Sequence, residues 1–125
     1  MSKTILMTAS LLLALAVAIG AFGAHGLKSQ LSDEMLQTYK TGVEYHFYHA
    51  LGLLLIGVLA VSFPSDLLKW SAILLTAGIV LFSGSLYVLA VTGIKTLGAV
   101  TPLGGLSFIG GWILFFLAVW KKFPV

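Results

Sequence analysis

The chain has 125 residues, of which 59% are hydrophobic and only 9% are charged, and its formal net charge is +3. An average soluble domain carries about 25% charged residues, so these few polar groups cannot cover the surface of a soluble globule. Since the Lys residues are scattered along the chain, the basic balance does not indicate nucleic-acid binding. The absence of Cys removes thiolate metal sites and disulfides. The composition therefore indicates an integral membrane protein and excludes most soluble enzymes.

Four apolar stretches are long enough to cross a bilayer, which requires roughly 20 mainly apolar residues. The predicted spans are residues 4–24, 42–63, 67–92 and 103–120. An alternative interpretation of the first stretch is a signal peptide, because Lys3 precedes the apolar run and small residues follow it. Its glycine-rich end favours a helix-packing face, and we therefore predict a span.

Local residues predict where these helices begin and end. Pro64 cannot continue the second helix, and Ser65 can cap the N-terminus of the third. Gly93 is a favourable residue for the end of the third helix. Thr101 and Pro102 are predicted as the N-cap and first residue of the fourth.

The polar segment between the first two spans predicts a short amphipathic helix. Ser32 can cap this helix, which we place at residues 33–41, lying in the membrane interface and leading into the second span. Every fourth residue of the surrounding stretch is apolar, at Leu27, Leu31, Met35 and Tyr39.

The Lys residues predict the orientation. Lys3, Lys69, Lys121 and Lys122 fall on one side of the predicted topology, and Lys28, Lys40 and Lys95 fall on the other. Cytoplasmic loops carry an excess of Lys and Arg. The four-to-three difference favours a cytoplasmic location for both termini.

Small residues recur on the predicted spans at helical spacing. Lipid is as apolar as Leu, so helices in a membrane associate through close backbone packing and interhelical hydrogen bonds. We predict an all-α, antiparallel four-helix transmembrane bundle that forms a single domain over residues 1–125. The residues assigned to helix packing are Ala16, Gly20, Gly23, Ala24, Gly84, Gly104, Gly105 and Gly111.

Four ionisable residues lie at or near the ends of the first two spans: His25, Glu44, His46 and His49. Ionisable groups inside a span are costly and suggest a function by default. Imidazoles with a carboxylate can bind zinc or copper, and His can relay protons near neutral pH. The competing interpretation is structural, with these side chains wet at the headgroups or hydrogen-bonded to a neighbouring helix.

The other polar groups at depth are Ser83, Ser85, Tyr87 and Thr101. The sequence around Ser83 and Ser85 lacks the serine-hydrolase elbow, and no Asp lies deep in a predicted span. Interhelical hydrogen bonds, which contribute about 0.6 kcal/mol each, are the expected role. Together with His25 and His49, these residues make up the candidate polar cluster. No complete catalytic constellation is present in the sequence, so we expect a protein that is not an enzyme.

Four motifs carry a family resemblance over almost the whole chain: GAFGAHGL at 20–27, YHAL at 48–51, LFSGSLYVLAVTG at 81–93 and TPLGGLSFIGGW at 101–112. In this order they resemble the YgdD/YwdK family of small bacterial inner-membrane proteins, a family of unknown function. The resemblance implies a four-span protein of the bacterial plasma membrane. It supplies no reaction and no cofactor. A staphylococcal member is called a membrane-stabilising protein.

The resemblance also favours some of the candidate residues over others. It implies a family His at His25 and His49, the Ser-Gly-Ser-Leu-Tyr run at 83–87, and the Thr-Pro with glycines at 101–105. In many members the corresponding stretch is similar to Arg-Tyr-Gln, whereas this chain has Glu44-Tyr45-His46. This departure leaves His25 and His49 as the better metal candidates, and two His alone make an incomplete site.

Three functional hypotheses follow from the sequence. The first is a non-enzymatic protein that supports membrane homeostasis through contacts with membrane lipids or proteins. The second is binding or transport of a metal ion, proton or small solute on the outer-leaflet side, involving His25 and His49. The third is an accessory subunit of a membrane complex, or a homo-oligomer, with the small residues forming intermolecular contacts.

Overall fold

The computed structural model describes residues 1–124 and, over this range, consists of helices and connections without strands. Val125, the last residue of the predicted domain, lies outside the described residues. Five α-helices follow one another: α1 at Ser2–Phe22, α2 at Asp33–Ser62, α3 at Asp66–Gly78, α4 at Gly84–Thr92 and α5 at Thr101–Lys122. A π-helical turn at Gly23–Leu27 extends α1, and another at Ile79–Ser83 joins α3 to α4. A 3₁₀ turn at Lys95–Ala99 precedes α5.

These elements form four continuous helical segments that are long and apolar enough to cross a membrane, and each overlaps one of the predicted spans. They are Ser2–Leu27, Asp33–Ser62, Asp66–Thr92 and Lys95–Lys122. The all-helical membrane class predicted from composition is therefore confirmed.

Three of the predicted helix ends have the expected local cause. The hydroxyl of Ser32 accepts a hydrogen bond from the backbone N–H of Met35, and that of Ser65 accepts one from Leu68, each at 3.2 Å. Gly93 ends α4 in the left-handed conformation, with φ of 72°. Glycine adopts this conformation without the penalty that a Cβ imposes.

The predicted N-cap of the last helix is wrong. Thr101 is already the first residue of α5, and Val100 occupies the capping position without a side-chain hydrogen bond. The Thr101 hydroxyl instead lies 2.6 Å from the Ser85 hydroxyl on α4. A contact between helices has taken the place of the expected local cap.

The segment at 33–41 is continuous with the second span, since α2 is uninterrupted from Asp33 to Ser62. Its first turns pack against the end of the first span, where the buried Tyr39 donates its hydroxyl to the carbonyl of Ile19. The segment therefore forms the beginning of α2 rather than a separate helix. Its location in the membrane interface stays a prediction.

The long helix α2 lies at the centre of the fold. It packs against α1, α3, the second π-helical turn and α4, whereas α5 packs mainly against α3 and that turn. Large buried side chains from α2 and α3 fill the core, namely Leu53, Ile56, Leu68 and Leu75. Phe108 of α5 joins the same cluster.

Contacts between the helices define two ends of the fold. The first, called here the lysine end, holds Lys3 at the start of α1, Lys69 at the start of α3, and Lys121 and Lys122 in the last turn of α5. Lys122 lies 5.8 Å from the ring centre of Phe63, which follows α2 and connects these helix ends. The other, called the polar end, contains the first half of α2 and both π-helical turns.

Candidate functional site

Most of the buried polar side chains lie at the polar end, on two sides of α2. His46 faces α1 and α4 and belongs to a group that we call the His46 cluster, consisting of Tyr39, His46, Ser83 and Tyr87. His49 belongs to an aromatic group that we call the His49 cluster, consisting of Tyr45, His49, Phe82, Phe108 and Trp112. The two imidazoles are only three residues apart, yet they have different neighbours.

His46 is only 3% exposed and is the centre of its cluster. Its Nδ1 lies 2.8 Å from the Tyr87 hydroxyl of α4. Its Nε2 is buried without a hydrogen-bond partner among residues 1–124, and the backbone of Leu12 on α1 lies near the imidazole.

The His46 cluster also joins α2 to the second π-helical turn. The hydroxyl of Ser83 in this turn donates to the carbonyl of Gly42 at 2.7 Å. Gly42 leaves room for Tyr87, because a Cβ at this position would be 2.8 Å from the Tyr87 ring. The π-helical turn is a local departure from α-helix, and here it carries a side chain that binds a neighbouring backbone.

His49 is 7% exposed and lies among aromatic rings. Its Nδ1 donates to the Tyr45 carbonyl of its own helix at 2.7 Å. Its ring stacks on Phe108 of α5, with ring centres 3.4 Å apart and planes inclined by 10°. Phe108 can occupy this position because Gly78 has no side chain. A Cβ on Gly78 would overlap the Phe108 ring.

A third set of polar contacts joins α5 to the segment from α3 to α4. Ser71 donates to the carbonyl of Gly111 at 2.7 Å, and Ser107 donates to the carbonyl of Leu74 at 2.6 Å. Near the other end of the same seam, Ser85 donates to the Phe82 carbonyl, which leaves Thr101 as the donor of the Thr101–Ser85 hydrogen bond. These hydroxyls bind groups of neighbouring helices or of their own helix.

The structure distributes the six residues of the candidate polar cluster over separate contacts. Tyr87 pairs with His46, Ser83 with the Gly42 carbonyl, and Ser85 with Thr101. His49 stacks on Phe108, whereas His25 lies exposed in the first π-helical turn. Within residues 1–124 there is no group of three or more His, Asp, Glu or Cys arranged to hold a metal ion.

The family resemblance favours His25 and His49 over His46 and Glu44, because the stretch that contains the latter two departs from the family pattern. Glu44 is exposed, but His46 is buried at the contact of three helices. The signal that identifies His46 is a heptad pattern in α2, whose a and d positions face neighbouring helices. Buried residues recur at spacings of three and four, at Tyr39, Gly42, His46, His49, Leu53, Ile56, Ala60 and Phe63.

The small residues assigned to packing differ in their surroundings. Ala16 is buried, Gly23 faces the Tyr39 ring, Gly104 lies against the backbone of Phe82, and Gly111 faces Leu75. Gly20 has a close neighbour in Val43, and Gly105 has only the edge of Phe82 at 4.0 Å.

Two of the assigned residues lie outside the helix contacts. Ala24 is exposed, and a Cβ on Gly84 would have nothing within 4 Å. Gly42, Gly52, Gly57 and Gly78 do pack tightly and were not assigned.

Four span-capable helices, joined by buried hydroxyl–carbonyl bonds and glycine contacts, define a polytopic α-helical membrane protein. Residues 19–105 match the model of a family described as "Protein of unknown function (DUF423)". The chain belongs to this family, which confirms the resemblance drawn from its four motifs.

The relatives are named membrane proteins of bacteria. The chain is similar to the UPF0382 membrane protein YwdK of Bacillus subtilis, with 53% identity over 86% of this chain and 88% of that protein. It is also similar to a UPF0382 membrane protein of Staphylococcus haemolyticus, with 44% identity over 95% of this chain and 97% of that protein. No solved structure matches the chain.

Proposed function

We propose that this chain is a non-enzymatic protein of the bacterial plasma membrane that supports membrane stability through contacts with lipids and other membrane proteins. The observation that carries the proposal is the use of the buried polar groups. The hydroxyls of Ser71, Ser83 and Ser107 donate to backbone carbonyls of neighbouring helices. Such hydrogen bonds hold helices together in lipid. Each of these three hydroxyls therefore already has a hydrogen-bond partner within the protein.

We further propose an antiparallel arrangement of the four spans. Supporting contacts join the early part of one span to the late part of its neighbour along the chain: Leu6 lies beside Gly57, Ser83 binds Gly42, and Ser85 binds Thr101. Under the positive-inside rule, the lysine end then faces the cytoplasm with both termini. The start of α2 reaches the outer interface.

The surface of the fold supports a role at the lipid boundary. Large apolar side chains are exposed on every span, including Leu11, Val58, Val80 and Leu106. A soluble monomer rarely exposes extended apolar patches, whereas a bilayer solvates them. Lipid is therefore the partner that every span of the chain contacts.

A vesicle experiment tests the non-enzymatic role. The chain is reconstituted into vesicles of phosphatidylglycerol and phosphatidylethanolamine, and release of a trapped dye is measured after osmotic shock. We expect slower release than from protein-free vesicles or from vesicles holding an unrelated four-span protein. The variants Ser85→Ala and His49→Gln, checked for helicity by circular dichroism, are expected to protect as well as the original chain.

Two results would contradict the proposal. Dye release equal to that of both control vesicles would remove the stabilising role. Loss of protection in a fully helical His49→Gln variant would show that the chemistry of this side chain is required, and would favour a binding or transport function.

A further inference from the structure

A cleft opens between α1 and α3 at the lysine end. Both helices pack on α2, and Leu53 of α2 forms the floor of the space between them. The cleft has a volume of about 730 Å³ and is lined mainly by apolar side chains. Its walls carry the hydroxyls of Thr4 and Thr8 on α1 and of Thr76 on α3.

The charge at the cleft favours an anionic occupant. Lys69 lines its mouth and is exposed. Lys3 lies in the first turn of α1 at the same end, so the bilayer surface next to the mouth is basic. A Lys near a membrane surface attracts anionic headgroups with about 1 kcal/mol. The apolar walls below Lys69 require an apolar tail on the same molecule.

The depth of the cleft matches one leaflet. Its α3 wall runs from Lys69 to Ala77, which is about 12 Å at a rise of about 1.5 Å per residue. The hydrocarbon core of a bilayer is about 30 Å thick, so one leaflet contributes about 15 Å. A lipid acyl chain that enters beside Lys69 therefore stays within its own leaflet and runs parallel to its neighbours.

We propose that this cleft binds one acyl chain of an anionic phospholipid from the leaflet at the lysine end, with the headgroup phosphate beside Lys69. Thr4 lies in the first turn of α1 and Thr8 one turn deeper, where their hydroxyls can donate to the ester carbonyls of the lipid. The inference rests on the proposed lipid-contact function and names the class of lipid.

Native mass spectrometry in a mild detergent tests the assignment, with phosphatidylglycerol and phosphatidylcholine as probes. The unmodified chain is expected to retain one phosphatidylglycerol more tightly than phosphatidylcholine. Lys69→Gln should weaken phosphatidylglycerol binding about fivefold, the ratio that about 1 kcal/mol corresponds to. It should weaken phosphatidylcholine binding less, because the choline cation offsets the phosphate charge of that lipid. Lys95→Gln, the same charge change outside the cleft, is the matched control and should have no effect.

Filling the cleft tests the acyl-chain contact. Ala77→Phe occupies the α3 wall, and Thr8→Phe fills the same space from α1, so that one variant remains informative if the other does not fold. Each is expected to reduce binding of phosphatidylglycerol at least tenfold. Ala21→Phe, on an exposed part of α1, is the size-matched control and should bind normally.

The cleft assignment would be overturned by equal phosphatidylglycerol binding in the unmodified, Lys69→Gln and folded cleft-filling chains. Preferential retention of free oleate with the same dependence on Lys69 would also overturn it, since a fatty acid would then be the occupant. Failure of the cleft proposal can be distinguished from failure of the proposed function by comparing these results with those of the vesicle experiment. Vesicle protection without selective lipid binding rejects the cleft alone, and selective binding without protection rejects the stabilising function alone.

Discussion

The polar end and the lysine end of this protein hold their helices in different ways. At the polar end, α2 is hydrogen-bonded to α1 through Tyr39 and to α4 through His46. At the lysine end, α1 and α3 both contact α2 but leave an apolar cleft between them. The two ends therefore differ in how α1 meets its neighbours, with a hydrogen bond to α2 at the polar end and an apolar cleft beside α3 at the lysine end.

The largest loss of stability is expected from Gly104→Ala, which changes a helix contact at the polar end. A Cβ at Gly104 would collide with the backbone of Phe82, which cannot move aside as a flexible side chain can. Overpacking of this kind costs about 1–3 kcal/mol, and we expect a loss near the upper value. Thermal unfolding in detergent, followed by circular dichroism, measures the effect.

Gly84→Ala is the matched control, because a Cβ on Gly84 meets nothing within 4 Å. Ala is the better helix former by about 1 kcal/mol, so this variant should be unchanged or slightly more stable. Equal destabilisation by both substitutions would show that the close approach of α5 to Phe82 does not limit stability.

The second effect concerns the His46 cluster. Tyr87→Phe removes the hydroxyl beside His46 Nδ1, so that both ring nitrogens of a buried imidazole would lack a hydrogen bond. An unsatisfied buried polar group costs about 1–3 kcal/mol, and we expect a loss within this range in the same unfolding assay. Tyr48→Phe, at an exposed residue of α2, should leave the unfolding temperature unchanged. A neutral Tyr87→Phe would mean that the pair contributes little to joining α2 and α4.

A smaller effect is expected from Ser83→Ala. The Ser83 hydroxyl donates to Gly42 across the helix contact, and such bonds in membranes average about 0.6 kcal/mol. Ser10→Ala is the control, because the Ser10 hydroxyl binds Leu6 within its own helix and is exposed. If both variants lose the same stability, the interhelical bond has no special contribution.

The smallest effect is expected from removing the two His residues in the metal hypothesis. His25 is exposed and His49 stacks on Phe108, so their surroundings differ. Calorimetric titration with zinc should therefore give the same weak binding for the original chain and for the double variant His25→Ala/His49→Ala. Tight binding that disappears in the double variant would establish the metal hypothesis and change the interpretation of the polar end.

Much of the fold could be predicted because its causes are local. Hydropathy identified the four spans, and the caps at Ser65 and Gly93 depend on residues next to the helix end. The prediction failed where a side chain binds a distant partner. Thr101 is a good capping residue by type, but its hydroxyl binds Ser85, sixteen residues away in sequence.

The candidate site was harder to predict than the fold. In a soluble protein, polar residues mark the face of a helix that points away from the core. In a membrane helix, both lipid and core are apolar, so hydropathy does not distinguish the two faces. The roles of His46 and Gly42 depend on the heptad pattern of α2, whose a and d positions include both residues.

The sequence by itself determined the membrane class, the four helical segments, most of their ends and the family, because length, hydropathy, capping residues and motifs are properties of contiguous stretches. Only the tertiary structure decided which helices contact one another, that His46 rather than His25 is buried, and that a cleft opens beside Lys69. These features depend on the relative rotation and spacing of helices. In lipid, that geometry is set by close packing and a few hydrogen bonds between residues far apart in the chain.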